Sequence, residues 1–245
     1  MTVPTQGYHF YSFFLSQELL VCDQIVQWSH HCQSSYRKKQ MAERNMTESE
    51  NRGPAEHNVR EQIVQAATEF FGLYGYEKTT VSDLAKSIGF SKAYIYKFFQ
   101  SKQAIGEVIC ANRLSLIMDI VTKEMTEASS ASDKLRRMFR SLVDAGSDLF
   151  FHDRKLYDIA AAASIEQWPS AKNHKVQLKL LLKNIIVEGR QAGEFERRSP
   201  LDETIDSIFL VLLPYVSPVQ LQYNLDVAQQ ASQQLPTLIL RSLMP

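Results

Sequence analysis

The feature that most constrains the fold is a series of helix start and stop signals between residues 58 and 102. A side-chain oxygen of Ser, Thr or Asn can accept a hydrogen bond at the start of a helix, and an acid three residues later completes a capping box. Glycine commonly follows the end of a helix. In chain order, the signals are Asn58 with Glu61, Gly75, Thr80 with Asp83, Gly89, Ser91 and Ser101. They predict three short helices and a longer fourth helix that runs to about Met125.

Downstream of this region, apolar residues recur every three to four positions, as on the buried face of a helix. The stretch VQLKLLLKNIIVEG at 176–189 is apolar nearly all round, which predicts a central buried helix. Two further helices are expected at about 200–213 and 224–243. Because no stretch has the alternating pattern of a strand, the predicted fold class is all-α.

Composition divides the chain into three parts. Residues 1–53 end in the polar stretch SSYRKKQMAERNMTESENRG, which Pro54 follows. Such a stretch is typical of a disordered linker or of a start codon placed too early in the gene. Residues 54–104 contain the three short helices and form a predicted helix-turn-helix domain. Residues 105–245 form a larger helical domain.

The leader offers a metal site as an alternative reading. Cys22, His30, His31 and Cys32 are suitable ligand types, but their spacing matches no familiar zinc pattern, so we expect neither a metal nor a cofactor. The apolar stretch FYSFFLSQELLVC is interrupted by polar residues and follows no basic segment, unlike a membrane span or a signal peptide. Three cysteines without scaffold spacing fit a reducing compartment, and we expect a cytoplasmic protein.

The stretch SKAYIYKFFQSK at 91–102 predicts a helix, Ser91 to Phe99, with two different faces. On a helical wheel, the apolar side chains of Ile95, Phe98 and Phe99 fall together and can pack on the two preceding helices. On the opposite side, the outward positions are Ala93, Tyr96 and Lys97.

This third helix lies in a basic part of an otherwise neutral protein. Between Leu84 and Gly106 the chain has four lysines and no acid, although the formal net charge of the whole chain is zero. A compact three-helix unit with a basic third helix is typical of a helix-turn-helix, whose recognition helix enters the major groove. The sequence therefore predicts a local DNA-binding surface.

The sequence gives an enzyme little support. Cys110 has no histidine near it in sequence, and no glycine-rich phosphate loop, HExxH or CxxC occurs. We therefore expect no enzymatic activity. An alternative is that the three-helix unit at 54–104, the headpiece, no longer binds DNA and makes only protein contacts. This alternative predicts that charge reversal at Lys92 and Lys97 leaves function intact.

The stretch GYEKTTVSDLAKSIGFSKAYIYKFFQSKQAI at 75–105 resembles the headpiece of the tetracycline-repressor (TetR/AcrR) family. The matching positions are Gly75-Tyr76, Thr79-Thr80-Val81, Leu84-Ala85, Gly89-Phe90-Ser91, Tyr96, Phe99 and Lys102. The resemblance is strong over about residues 58–110, and beyond them only helix count, order and length agree. It implies a homodimeric transcriptional regulator that binds a palindromic operator in double-stranded DNA and is a ligand-released repressor. A TetR-type activator and a ligand-independent regulator remain open as alternatives.

The resemblance also implies which residues contact DNA. Lys92, Ala93 and Tyr94 would contact bases. The phosphates would be contacted by Thr80, Ser91, Tyr96, Lys97 and Lys102. Ala93 departs from the glycine that is common in the family, and because an alanine methyl group can contact a thymine methyl group, this departure affects base preference.

For the larger domain, the resemblance implies a ligand pocket among the helices from about 101 to 195 and a dimer formed by the last two helices. The candidate pocket residues are Met118, Phe139, Phe150, Tyr157 and Trp168, all of which also suit core packing. His152 and His174 are candidates for orienting a polar ligand, with a satisfied surface position as the simpler expectation. The stretches LYDIAAAASIEQWP and EGRQAGEF are similar to regulators found beside efflux-pump genes, which implies a small apolar or drug-like effector.

Overall fold

The computed structural model describes residues 56–245, in which every regular element is an α-helix. The helices are α1 (Glu56–Tyr74), α2 (Val81–Ser87), α3 (Lys92–Tyr96), α4 (Lys102–Thr126), α5 (Ala131–His152), α6 (Arg154–Ile165), α7 (Pro169–Ala192), α8 (Leu201–Val216), α9 (Pro218–Leu221) and α10 (Leu225–Ser242). The predicted all-α class is confirmed for these residues. The leader at 1–53, with its alternative metal ligands, lies outside them.

Local signals set the bounds of α2 as the sequence predicts. The Asp83 N–H donates to Thr80 Oγ1 at 3.2 Å, and the Thr80 N–H donates to Asp83 Oδ2 at 3.1 Å, so the capping box is complete. Gly75 and Gly89 both have positive φ, +87° and +71°, in the left-handed region that favours glycine. The turns at these two glycines separate α2 from α1 and from α3.

The first helix begins earlier than the sequence suggests. Asn58 lies inside α1, which starts at Glu56, so its predicted role as a helix cap is wrong. The helix continues through Asn58 to Val59, which is 3% exposed and belongs to the buried stripe of α1. An N-cap residue has non-helical backbone angles, so a residue inside the helix cannot serve as its cap.

The third helix is shorter than predicted. It ends at Tyr96 instead of Phe99, and its start is capped by the Ser91 Oγ, which accepts from the Tyr94 N–H at 3.0 Å. After Tyr96 the chain tightens, and the N–H groups of Phe98 and Phe99 both donate to the Ile95 carbonyl oxygen at 3.0 Å. This tight turn places Ile95 and Phe99 together in the core.

One hydrophobic cluster joins the headpiece to the start of the larger domain. It contains Ile95 and Phe99 from the headpiece together with Ile105, Ile109 and Trp168, which belong to α4 and to the residue before α7. The predicted boundary at 104/105 therefore falls within a continuous core. Because cores of this kind are close-packed, a movement of α4 or of Trp168 changes the packing of the headpiece residues in the same cluster.

A second cluster is built from the other helices of the larger domain. Its fully buried residues include Phe139 of α5 and Leu182 of α7. The prediction that 176–189 is buried all round is wrong, since Val176 is 63% and Leu180 is 55% exposed. The helix packs on one side, against α4, α5 and α8, and its other side faces solvent. Within residues 56–245, no helix combines the length and the apolar character needed to cross a bilayer.

Candidate nucleic-acid interface

The residues implied to contact DNA lie at and around α3. The exposed ones are Thr80, Ser91, Lys92, Ala93, Tyr96 and Lys97, and the half-buried ones are Tyr94 and Lys102. Ile95, at 0% exposure, anchors α3 to the core from the opposite side. The fold thus presents one face of α3 to solvent while the other face holds it in place.

Two lysines of this surface lie over aromatic rings. Lys92 Nζ is 5.7 Å from the centre of the Tyr96 ring, and Lys97 Nζ is 5.7 Å from the centre of the Tyr94 ring. Such cation–π contacts hold an ammonium group near a surface without neutralising it. The positive charges therefore remain available to phosphate oxygens.

Tyr94 also has a packing role. Its ring meets Phe90 at 5.1 Å and Phe98 at 5.4 Å between centroids, in edge-to-face geometry. The ring is thus part of the support of α3, and a contact with DNA from this residue has to come from its hydroxyl end.

Thr80 and Ser91 lie at the starts of α2 and α3. Thr80 Oγ1 donates to Asp83 Oδ2 at 2.7 Å, and the side-chain and backbone hydrogen bonds from Thr80 lower the pKa of the exposed Asp83 carboxyl. Both residues bring a helix N-terminus to the surface, where the partial positive charge favours phosphate. Thr80 and Ser91 contribute to this surface by their positions at the two helix starts, more than by free hydroxyl groups.

Lys102 differs from the other lysines because its ammonium group has partners inside the protein. Lys102 Nζ donates to the carbonyl oxygens of Tyr76 at 3.0 Å and Thr79 at 3.3 Å, and it lies 4.2 Å from the centre of the Tyr76 ring. The resemblance implies a phosphate contact for this residue. The structure instead shows it holding the turn between α1 and α2.

The structure does not bring the five candidate pocket residues together. Phe139 lies in the cluster of the larger domain with Met118 packed against it, whereas Trp168 lies in the cluster that includes the headpiece. Phe150 and Tyr157 form a separate edge-to-face pair 5.0 Å apart. The prediction of one pocket lined by these five residues therefore finds no support in their positions.

Two cavities of the described region lie elsewhere. One, of about 180 Å³, opens beside the α1–α2 turn and α6; its lining residues are Tyr74, Gly75, Tyr76, Glu77, Lys78, Lys155 and Asp158. The other, of about 10 Å³, lies among α5, α7 and α8; its lining residues are Met138, Leu142, Leu178, Leu182, Phe209, Leu212 and Val216. The second space holds no more than about one water molecule, so an effector would have to open it.

The two histidines differ in environment. His152 is exposed and its Nδ1 lies 2.8 Å from Asp148 Oδ1, in line with a satisfied surface position. His174 is instead half-buried, and desolvation of its imidazole lowers its pKa to about 4. Its Nδ1 has no hydrogen-bond partner among the described residues. The expectation of a surface position is therefore wrong for His174.

A polar contact at the start of α7 was missed by sequence reasoning. On α4, Glu107 accepts a hydrogen bond from the Ser170 N–H of α7 at 3.1 Å, and burial raises the pKa of the nearby Cys110 thiol. These residues are about 60 positions apart in the chain, so no local spacing could reveal them. Across residues 56–245, no group of three or more His, Cys, Asp or Glu side chains has the arrangement of a metal site.

A basic, capped recognition helix on a three-helix headpiece, continuous with a larger helical domain, defines a helix-turn-helix DNA-binding protein. Residues 63–108 match the family model for bacterial regulatory proteins of the tetR family, and residues 131–234 match the tetracyclin repressor-like C-terminal domain. The chain belongs to the TetR family of transcriptional regulators.

Three similar proteins illustrate the relationship. An uncharacterized HTH-type transcriptional regulator of Bacillus subtilis, YdgC, is 21% identical over 76% of this chain and 93% of its own. The negative regulator of the biofilm operon icaADBC in Staphylococcus aureus, IcaR, is 29% identical over 31% of this chain and 41% of its own. The structure of FadR from Bacillus subtilis in complex with stearoyl-CoA has a TM-score of 0.55 and 21% identity, covering 74% of this chain and 97% of FadR.

Proposed function

We propose that this regulator is a dimeric, sequence-specific repressor that binds a palindromic operator and is released by a small molecule. The observation that carries the DNA-binding part is the exposed face of α3. Lys92, Tyr96 and Lys97 lie on it, while Ile95 fixes the helix from behind. Lysines supply contacts to phosphates and to guanine, and tyrosine hydroxyls reach phosphate oxygens.

The headpiece test measures binding of labelled DNA from immediately upstream of the protein's own gene, by fluorescence anisotropy at several salt concentrations. We expect saturable binding that survives competitor DNA and weakens by about 1–3 kcal/mol in Lys92→Ala. The matched control is Lys172→Ala, because Lys172 is also an exposed lysine but lies on α7 and not on α3. Equal loss in both variants, or none in either, would show that α3 does not read DNA.

The direction of regulation needs a second readout. IcaR is a negative regulator, and we extend that mode of action to this chain as part of the proposal. A reporter gene placed behind the bound DNA should be expressed more strongly when the regulator is absent. Lower expression in its absence would establish the activator alternative instead.

Dimerisation is proposed to use α8 and α10. Both helices expose large apolar side chains, among them Leu210 at 66% on α8 and Leu238 at 61% on α10, and Val211 and Val227 on the same two helices are also exposed. Apolar surface of this kind is typical of an interface between subunits, and two headpieces are needed to contact both halves of a palindrome.

Sedimentation velocity tests the interface. Leu210→Asp should shift the protein from dimer to monomer, because an acid would have to be buried without a partner. Ile165→Asp is the matched control, since Ile165 is 68% exposed on α6 and lies on neither proposed helix. Dissociation by both variants, or by neither, would contradict an interface on α8 and α10.

The effector is proposed to act through the larger domain. FadR of Bacillus subtilis is described in complex with stearoyl-CoA. Because similarity at 21% identity shows a shared fold only, we do not propose stearoyl-CoA as the ligand of this chain. A small apolar or drug-like molecule remains the proposal for this chain, with release of labelled DNA as its assay. Such a ligand acts by preferring the state in which the headpieces are badly spaced.

A further inference from the structure

The interface between α4 and α7 contains a cluster of buried polar atoms without partners. We call Glu107, Cys110 and Ser170 the seam cluster. Glu107 Oε2 accepts the Ser170 N–H at 3.1 Å, but Glu107 Oε1, Ser170 Oγ and His174 Nδ1 are buried and have no hydrogen bond. His174 follows Ser170 by one helical turn and therefore lies on the same side of α7.

Buried polar atoms in native proteins nearly always have partners, because leaving them unpaired costs stability. The Ser170 hydroxyl approaches the Cys110 thiol without reaching the geometry of a hydrogen bond. Two unpaired atoms on two facing helices, Glu107 Oε1 and Ser170 Oγ, thus form a site with one carboxylate acceptor and one hydroxyl. Such a site suits a ligand group that donates hydrogen bonds.

The charge of the seam cluster is negative. Among the described residues, no Lys, Arg or His forms an ion pair with Glu107. Burial raises the pKa values of the Tyr76 hydroxyl and the Cys110 thiol, and the negative charge of Glu107 adds to both shifts. His174 does not offset this charge, because burial keeps its imidazole neutral near pH 7. An unpaired, partly buried carboxylate favours a cation and disfavours an anion.

The seam cluster lies directly beside the contacts that hold the headpiece. Gly106, next to Glu107, faces the rings of Trp168 and Tyr76, and a Cβ atom there would lie 3.0 Å from each ring. The two rings pack edge-to-face at 5.8 Å. Since Tyr76 belongs to the turn that Lys102 holds, a ligand that separates Glu107 from Ser170 also displaces the α1–α2 turn.

We propose that the seam cluster binds the ammonium group of an apolar amine, which donates hydrogen bonds to Glu107 Oε1 and to Ser170 Oγ. The apolar part of the ligand extends along α7 towards Leu178 and Leu182, which follow His174 at intervals of four residues and line the small cavity. The inference rests on the proposed ligand-released regulator and specifies the chemical class of its effector.

The test uses three probes with one tail and different head groups, which are decylamine, decanol and decanoate, below their micelle concentrations. Binding to the full 245-residue chain is measured by calorimetry and by the shift of the thermal midpoint. We expect decylamine to bind more tightly than decanol, and we expect decanoate not to bind.

Glu107→Gln should weaken decylamine binding at least about tenfold, because a charge-assisted hydrogen bond becomes a neutral one. Glu69→Gln, which changes an exposed acid on α1, should leave it unchanged.

Ser170→Ala provides a second variant that keeps the backbone N–H to Glu107 and removes only the hydroxyl. It should weaken decylamine binding less than Glu107→Gln does, and it remains informative if the glutamine variant does not fold. Decanoate binding as tight as decylamine binding, no binding of decylamine, or unchanged affinity in both variants would each overturn the proposal. No DNA is present, so these outcomes leave the DNA-binding proposal standing, and loss of operator binding alone would leave the amine site standing.

Discussion

Lys102 Nζ donates a hydrogen bond to the Tyr76 carbonyl oxygen at 3.0 Å and lies 4.2 Å from the centre of the Tyr76 ring. The same ammonium group also reaches the Thr79 carbonyl oxygen at 3.3 Å. The first residue of α4 is therefore attached to the turn that precedes α2. This attachment makes the position of the headpiece depend on the position of α4.

Lys102→Ala should destabilise the protein by about 1–3 kcal/mol, because it removes two hydrogen bonds from a charged donor and a cation–π contact. Urea unfolding measures this loss, with Lys172→Ala as the exposed control. DNA affinity should also fall, but the slope of log K against log salt should stay the same, since the ammonium group is held by carbonyl oxygens. A slope smaller by about one, with unchanged stability, would identify Lys102 as a phosphate contact.

Gly106→Ala should destabilise the protein by about 1–3 kcal/mol. The new Cβ would lie 3.0 Å from both Trp168 and Tyr76, and these rings are only 1% and 7% exposed, so neither can move freely. Thermal or urea unfolding provides the measurement.

Gly72→Ala is the matched control for this substitution. Gly72 lies within α1 and a Cβ there would have no atom within 4 Å, so alanine should stabilise the helix by up to about 1 kcal/mol. Loss of stability in the control, or none at Gly106, would show that the Trp168–Tyr76 contact tolerates an added methyl group.

The headpiece could be predicted from the sequence because its signals are local. The Thr80 and Asp83 capping box and the Ser91 cap each involve residues three apart, and the structure contains both. The errors concern the ends of helices. Helix α1 begins two residues before Asn58, and α3 ends at Tyr96, whereas the burial of Ile95 and Phe99 agrees with the predicted apolar face.

The seam cluster and the attachment of Lys102 could not be predicted, because both depend on which helices meet. Ser170 contacts Glu107 across 63 residues, and Lys102 contacts Tyr76 across 26 residues. For the same reason, the apolar stretch at 176–189 was predicted to be buried all round. Only the packing of α7 shows that Val176 and Leu180 lie on its solvent side.

Glu194 lies 63 residues after Ala131 in the chain and caps the start of α5. Its removal should lower the free energy of unfolding in a pH-dependent way. The N–H groups of Ala131 and Ser132 donate to its two oxygens at 3.0 Å each. Desolvation opposes ionisation, but the hydrogen bonds from Ser132 and Ala131 outweigh it and hold the pKa of Glu194 below its usual value. Glu194→Ala should cost about 1 kcal/mol at pH 7.

The pH dependence of this effect follows from the lowered pKa. The unfolded chain takes up the proton first as the pH falls, so the stabilisation by Glu194 is complete above about pH 4.5 and is lost as the pH falls through the lower folded pKa. Unfolding at pH 7 and at acid pH should therefore show wild type and Glu194→Ala converging. Gln65→Ala, at an exposed position of α1 without a titrating group, should follow wild type at both pH values.

His174 provides a pH dependence in a different range. Burial lowers its folded pKa to about 4 from an ordinary 6.5. Because the unfolded chain binds the proton more readily, His174 supports folding above about pH 6.5, and this contribution is lost progressively down to about pH 4. The shift corresponds to roughly 3 kcal/mol across that window.

His174→Gln should remove this part of the pH dependence while keeping a polar side chain at the position. Urea unfolding at pH 7, 6 and 5 should show wild type losing stability relative to the variant at each step down. The control is Asn173→Gln, an exposed position without a titrating group on the same helix, and its pH profile should stay parallel to that of wild type. If His174→Gln also runs parallel to wild type, the imidazole is accessible to protons in the folded state, and the closed interface between α4 and α7 would have to be revised.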